Sequence, residues 1–331
     1  GTLTLNGLAV TAGQSVTAAD ITAGLLVFTP AANANGATYA SFTFQVQDTG
    51  GTANGGADLD PSPNTMTVSV TAVNDAPAGT DTTVTVNEDN TYTFTTANFG
   101  FTDAADSPAN TLSSVIITTL PVNGSLTLNG VAVTAGQSIT AANITSGQLR
   151  FVPAANANGA AYASFTFQVR DGGGTANGGI DLDATPNTMT IDVTSVNDAP
   201  AGTSNTVTTP EDTAFTFTAA QFGFTDPNDT PANTMTAVRI TTIPAAGTLR
   251  LNGVAVTAGQ TVSLADINAG LLVFTPALNA NGTGYASFTF QVQDNGGTAN
   301  GGVDLDPSAN TMTINVTAVD DAPVLATNTA L

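Results

Sequence analysis

The chain contains no cysteine, histidine, tryptophan or lysine. Thiol nucleophiles, disulfides, histidine-based triads, imidazole zinc sites and Schiff-base lysines are therefore excluded. Any stiffness must come from something other than disulfides. Only four Arg oppose 25 acidic residues, a formal net charge of −21. Nucleic acid is an unfavourable partner for such a chain, because binding it requires cations that neutralise phosphates. Anionic membrane surfaces are disfavoured for the same reason. No apolar run approaches the length of a membrane span, so membrane insertion is not expected, and no signal-like segment opens the chain. An acidic chain without lysine attracts metal cations instead.

What is present reads as β-structure. Hydrophobic residues make up 41 % of the 331, enough for two to three domains with real cores. Val, Ile, Leu, Phe and Ala are mixed with Thr, and Gly, Asn and Asp punctuate them every few residues, as short strands joined by turns require.

Internal repetition sets the organisation. YASFTFQV occurs at 39–46, 162–169 and 285–292, TANGG at 52–56, 175–179 and 298–302, and VTAGQ at 10–14, 133–137 and 256–260, always 123 residues apart. NDAP at 74–77 returns at 197–200, and Asp320-Asp321-Ala322-Pro323 holds the place again. Proline stops a strand and biases its predecessor to extended backbone, so these segments read as short linkers. The expected units are 1–76, the last part of a repeat whose first 46 or so residues are lacking, then 77–199 and 200–322. Residues 323–331 start the next linker or repeat. The start at residue 1 is read as a cut, processed or partial array.

Within one unit the pattern predicts about seven strands: Thr82–Val86, Thr91–Thr95, Leu112–Thr118, Ser125–Val133, Leu149–Val152, Ala163–Arg170 and Thr188–Val196. Asn129-Gly130 predicts a type I′ turn, and Ser138–Gly147 one short helical turn. The fold class is all-β, as tandem immunoglobulin-like sandwiches in a linear array.

The order V-N-D-A-P, E-D, F-x-D-x-x-D and F-x-F-x-V-x-D-x-G-G resembles the cadherin-like repeats of very large bacterial surface adhesins. The resemblance covers the whole chain. It implies secretion or cell-surface display, calcium binding and a part in adhesion or biofilm cohesion.

The acids themselves support a cation. Of the 25, only Glu88 and Glu211 are glutamate, and they occupy the same place in successive repeats. Aspartate is a short, rigid oxygen donor suited to calcium loops, and glutamate can chelate with both oxygens. Strand direction in a sandwich brings Glu88 beside the linker Asn197-Asp198. It brings Asp226, Asp229 and Asp294 to the facing pole of the next repeat. The resemblance implies that these six residues ligate calcium. Their counterparts are Asn74, Asp75, Asp103, Asp106 and Asp171 around the first linker, and Glu211, Asp320 and Asp321 around the last. No copy of the cadherins' second acidic motif stands in mid-domain, which points to fewer ions per junction. Asp20 and Asp266 follow Thr17 and Ser263 by three residues and read as helix caps. Asp181 and Asp183 stay open between ligand and solvated charge, and the Asn33–Gly36 run and its copies read as turn-formers.

An enzyme would need one asymmetric site, whereas these acids recur in every repeat and at the poles, so no catalysis is expected. The first functional expectation is a calcium-stiffened spacer stalk whose partners are calcium ions and neighbouring repeats of the same chain. The alternative is a subunit of an extracellular filament or sheath, touching identical chains laterally or by strand exchange. A carbohydrate-binding module is weaker still, given four Tyr and no Trp.

Overall fold

The computed structural model describes residues 1–323; the expected segment 323–331 falls outside them apart from Pro323. In the first repeat the strands are β1 (Thr2–Leu5), β2 (Leu8–Ala9), β3 (Leu26–Thr29), β4 (Gly36–Phe44) and β5 (Asn64–Val70). The second has β6 (Thr82–Asn87), β7 (Tyr92–Thr93), β8 (Leu112–Ile117), β9 (Ser125–Leu128), β10 (Val131–Ala132), β11 (Ser138–Thr140), β12 (Leu149–Val152), β13 (Gly159–Asp171) and β14 (Asn187–Thr194). The third has β15 (Asn205–Pro210), β16 (Phe215–Thr216), β17 (Ala237–Ile240), β18 (Thr248–Leu251), β19 (Val254–Ala255), β20 (Thr261–Ser263), β21 (Leu272–Thr275), β22 (Gly282–Gln293) and β23 (Asn310–Thr317). Each repeat also carries one five-residue helix: α1 (Ala18–Thr22), α2 (Ala141–Thr145) and α3 (Leu264–Asn268).

Two compact units partition the chain. One comprises residues 1–84, 91–152 and 163–191, the other residues 85–90, 153–162 and 192 onward. The first contains the sheets β2-β1-β3, β4-β5 and β10-β9-β12-β7. The second contains β15-β23-β22-β17-β20 and β16-β21-β18-β19. Strands β6, β13 and β14 of the sheet β11-β8-β13-β14-β6 contribute residues to both.

Alternation drives the packing. Along β13, Ala163, Phe165, Phe167 and Val169 point inward and are buried, while Thr166 and Gln168 between them are not. Phe165 meets Phe94 edge-on at 5.7 Å, and Phe167 meets Phe99 at 4.9 Å. In the third repeat Phe288 meets Phe217 at 5.5 Å and Phe290 meets Phe222 at 5.0 Å. These rings join one sheet to the other and form the core. In the first repeat Phe44, Val46 and Met66 are 37, 60 and 46 % exposed, whereas Phe167, Val169 and Met189 at the same places in the second are fully buried.

The expected strands are present with adjusted bounds, and Leu149–Val152 agrees to the residue. Asn129 and Gly130 take φ of 50° and 78°, as a type I′ turn requires. Ser138–Thr140, read as the start of a helical turn, is instead a short strand paired with Ser114–Ile116, and the helix begins only at Ala141.

One pairing positions the site. The first strand of a repeat lies beside the last and parallel to it, from Asn205↔Met312 to Pro210↔Thr317. Both strands therefore end at the same edge, where the residue after the first strand meets the start of the linker after the last.

Candidate metal centre

Glu88 follows β6 directly. Its backbone N–H donates to the carbonyl of Thr194, the last residue of β14, at 2.9 Å. Its carboxylate turns toward the linker: Oε1 accepts from the backbone N–H of Val196 at 2.6 Å and Oε2 from Nδ2 of Asn158 at 2.9 Å. Asp89 takes a left-handed φ of 59° and accepts from the backbone N–H of Asn156 at 3.0 Å. Glu88 is 1 % exposed, so these bonds hold a buried charge.

The linker is fastened on its other side to the third repeat. The N–H of Asp198 donates to Asp229 at 3.1 Å, Val303 N–H donates to the Asn197 carbonyl at 2.9 Å, and Gly202 N–H donates to Asp306 at 2.8 Å. Asp226 and Asp229 stand in the loop after the short 3-10 turn Ala219–Phe222, each 6 % exposed. Carboxylate oxygens of Glu88, Asp198 and Asp229 all lie within 4.8 Å of one another. Oδ2 of Asp198 and Oδ1 of Asp226 are buried without a hydrogen-bond partner.

Such a gathering opposes itself. Two like charges about 4 Å apart repel by about 1 kcal/mol in water and about 4 kcal/mol near a protein surface. Burial, joined by the charge of Asp226, pushes Asp229 up to about 6 against the favourable N–H of Asp198. Burial also raises Asp198, helped by the charges of Asp89, Glu88 and Asp226. Burial raises Asp294 too, opposed by hydrogen bonds from Gly296 and Asn197. A hard divalent cation held among Glu88, Asp198 and Asp229 would offset their repulsion, and carboxylates with free oxygens are the donors calcium takes.

The structure therefore gathers Glu88, Asp198 and Asp229 into one cluster, with Asp226 coupled to it. Asn197 and Asp294 pair with each other: Asn197 Nδ2 donates to both Asp294 oxygens, at 3.2 and 3.3 Å, and to the Val303 carbonyl at 2.7 Å. Around the first linker the same bonds recur. Asn74 donates to Asp171 at 3.1 Å and Asp75 N–H to Asp106 at 3.0 Å, while Oδ1 of Asp103 is buried and unpartnered. At the last linker Glu211 accepts from Asn281 and from Val319 N–H, which hold its carboxyl below the usual range. Asp320 and Asp321 are exposed.

Three sets of residues have roles that charge alone does not reveal. Asn158 and Asn281, read as turn-formers, bind the two glutamates. Asn110 and Asn233 donate to the Oδ1 of Asn74 and Asn197. Asp183 is 5 % exposed and accepts from Gly79 N–H, Thr185 N–H and Asn187 Nδ2, which makes it a structural anchor for the chain leaving the linker. Asp181 instead lies 3.8 Å from Arg170. Asp20 and Asp266 take part in capping α1 and α3: the N-caps Thr17 and Ser263 accept from their backbone N–H groups, and their carboxylates accept from the hydroxyls of Thr17 and Ser263 in return. The recurrence of the asparagines every 123 residues was the available signal.

The fold and these buried acids define a β-sandwich repeat with a polar junction. Residues 78–193 match the family described as cadherin-like, and residues 197–306 match bacterial Ig domains. The chain carries cadherin-like and immunoglobulin-like repeats in tandem. Solved structures with similarity include human mucin-like protocadherin EC1-2, at 14 % identity over 73 % of this chain and 98 % of that one, TM-score 0.36. Mouse protocadherin-24 EC1-3 is 12 % identical over 84 % of this chain and 79 % of that one, TM-score 0.45. Mouse cadherin-23 EC22-24 is 12 % identical over 74 % and 67 %, TM-score 0.38. No curated protein matches the chain. No helix among the described residues is long and apolar enough to cross a membrane.

Proposed function

We propose that this chain is a calcium-binding structural segment of an extracellular bacterial adhesin or matrix protein and that it serves as a spacer stalk. The repeats are 77–199 and 200–322, preceded by the partial repeat 1–76. The observation that carries this reading is the convergence of Glu88, Asp198 and Asp229 within 4.8 Å, with buried oxygens of Asp198 and Asp226 left unpartnered. Calcium bound there would supply the positive charge that balances them. Glu88 comes from one repeat and Asp226 and Asp229 from the next, so an ion held by all of them links two repeats. Extracellular modules of this kind bind calcium with dissociation constants of about 10⁻⁴–10⁻³ M, which favours filling outside a cell. The net charge of −21 and the absence of lysine support the same setting.

Small-angle scattering in EDTA and in millimolar calcium tests the stalk. The reading expects a longer maximum dimension with calcium, as linkers that flex become fixed. Superimposable curves would rule out calcium stiffening.

A further inference from the structure

The sheets β2-β1-β3, β10-β9-β12-β7 and β16-β21-β18-β19 each end at the second strand of an Asn-Gly hairpin. That strand is β2, β10 or β19, two residues long and paired on one side only. Its first residue is Leu8, Val131 or Val254, and these side chains are 76, 72 and 71 % exposed. Among the described residues, no other position presents a large exposed hydrophobic side chain in all three repeats. Elsewhere the repeats disagree. The place of Leu278, an exposed residue, holds Ala32 and Ala155 in the other two, and that of Val122, also exposed, holds Ala245. At the hairpin Leu gives way to Val without loss of apolar character.

Leu8 pairs with Leu5, Val131 with Leu128 and Val254 with Leu251, all half-buried partners, so each hairpin end offers two apolar side chains on one side of its sheet. Edge strands are ordinarily guarded by charge or proline, and this one carries neither. Charge also selects what the edge accepts. Residues 1–19, 125–149 and 251–265, which contain the three hairpins, hold no charged side chain. The only charged side chains in the strands of these sheets are Arg150 of β12 and Arg250 of β18. A second copy, also at −21, is repelled by acid-bearing surfaces. At this edge it meets no acid in the strands, and the nearby arginine is opposite in sign to its net charge.

We infer that these hairpin edges are a contact surface for a second copy of this chain, with Leu8, Val131 and Val254 at the centres of the contacts. Two identical edges meet about a local two-fold axis, each strand taking the other as an antiparallel neighbour. Two residues supply few backbone hydrogen bonds, so burial of the apolar side chains carries the contact. A single contact of this size is weak, and each chain carries three of them. The contact adds lateral association to the stalk reading and makes no use of calcium.

Sedimentation of the 331-residue chain in EDTA tests this separately from the calcium reading. The concentration should run from about 10 µM to about 1 mM, the range in which a weak interface shows itself. The average mass should climb above that of the monomer, and climb further when salt rises from about 0.15 M to about 0.5 M, which screens the residual repulsion. Leu8→Thr, Val131→Thr and Val254→Thr together should weaken the association by at least about tenfold, since each removes apolar surface from the contact without adding charge. Threonine suits an exposed strand position, so the thermal midpoint should hold. Should the triple variant fail to fold, Val131→Thr alone should weaken association by about threefold. Val122→Thr with Leu278→Thr should leave association unchanged, because those exposed residues lie outside the hairpins. A chain that stays monomeric at every concentration, association that fades as salt rises, or equal losses in the hairpin and control variants would overturn the inference. So would association that survives the hairpin substitutions.

Discussion

Asp106 and Asp229 hold the same place in successive repeats and accept the same hydrogen bond, from Asp75 N–H and Asp198 N–H respectively. Their surroundings differ. Asp229 is buried in a cluster with Glu88 and Asp198, whereas Asp106 is half-buried beside an open hollow lined by Asn35, Val73 and Asp75. Those three are the counterparts of Asn158, Val196 and Asp198, which together with Asp229 surround Glu88. Burial raises both aspartates above the ordinary range, and Asp229 reaches about 6. The comparison teaches that the D-x-x-D loop and the N-D-A-P linker arrange themselves without help. Glu88 encloses Asp229 and crowds it with charge, and no carboxylate among the described residues takes that place beside Asp106.

Substituting each aspartate in turn should separate the two regions most strongly. Asp229→Asn is expected to weaken the tightest calcium binding by about tenfold or more, and Asp106→Asn to leave it nearly unchanged. Calorimetry on both variants reads this directly, and equal losses would erase the distinction.

Two glycines come next. A Cβ on Gly296 would stand 1.6 Å from Asn197 Oδ1. Gly296→Ala should expel Asn197 and destabilise the chain by about 1–3 kcal/mol, the scale of a broken buried hydrogen-bond group. At Gly50 the nearest atoms a Cβ would meet are those of the Asp48 carboxylate, Oδ1 at 3.1 Å first. Gly50→Ala should therefore stay within about 0.5 kcal/mol in urea unfolding.

The unpartnered oxygens sharpen the comparison further. In EDTA, Asp226→Asn removes a buried, repelled charge and should raise the thermal midpoint by a few degrees, since about 1 kcal/mol moves it by about 2–4 °C. In calcium the same substitution should lower the midpoint. Asp103→Asn should show the first effect without the second.

The smallest effect is that of pH. Asp198, Asp229 and Asp294 have raised values in the folded chain, so the folded state binds protons more readily than the unfolded one. Stability in EDTA should then rise as pH falls from about 7.5 through about 6 toward 5. Without calcium a flat or falling thermal midpoint over that window would show that the crowding is relieved some other way.

Much of the fold was legible because it rests on local patterns. Phe165, Phe167 and Val169 announce an inward-facing strand by alternation, and Asn129-Gly130 announces its turn by tolerance of positive φ. Ser138–Thr140 was missed because a three-residue strand has no pattern of its own and is made by pairing with distant Ser114–Ile116. The acids of the site were legible by charge and recurrence. Asn158 and Asn233 were not, since a neutral amide in a loop reads as a turn until its tertiary partner is known. The pairing of Asn197 with Asp294 was hidden for a related reason. Sequence shows which oxygens recur, but not which are already bonded.

The central claim is that the buried carboxylates of Glu88, Asp198, Asp226 and Asp229 gather around calcium. Thermal melting at pH 7.5 across a calcium titration tests it most directly. The account predicts a midpoint that climbs with calcium and levels off above about 10⁻⁴–10⁻³ M, with the climb lost in Glu88→Gln. A midpoint that stays unmoved from EDTA to millimolar calcium, or that climbs equally in Glu88→Gln, would contradict it.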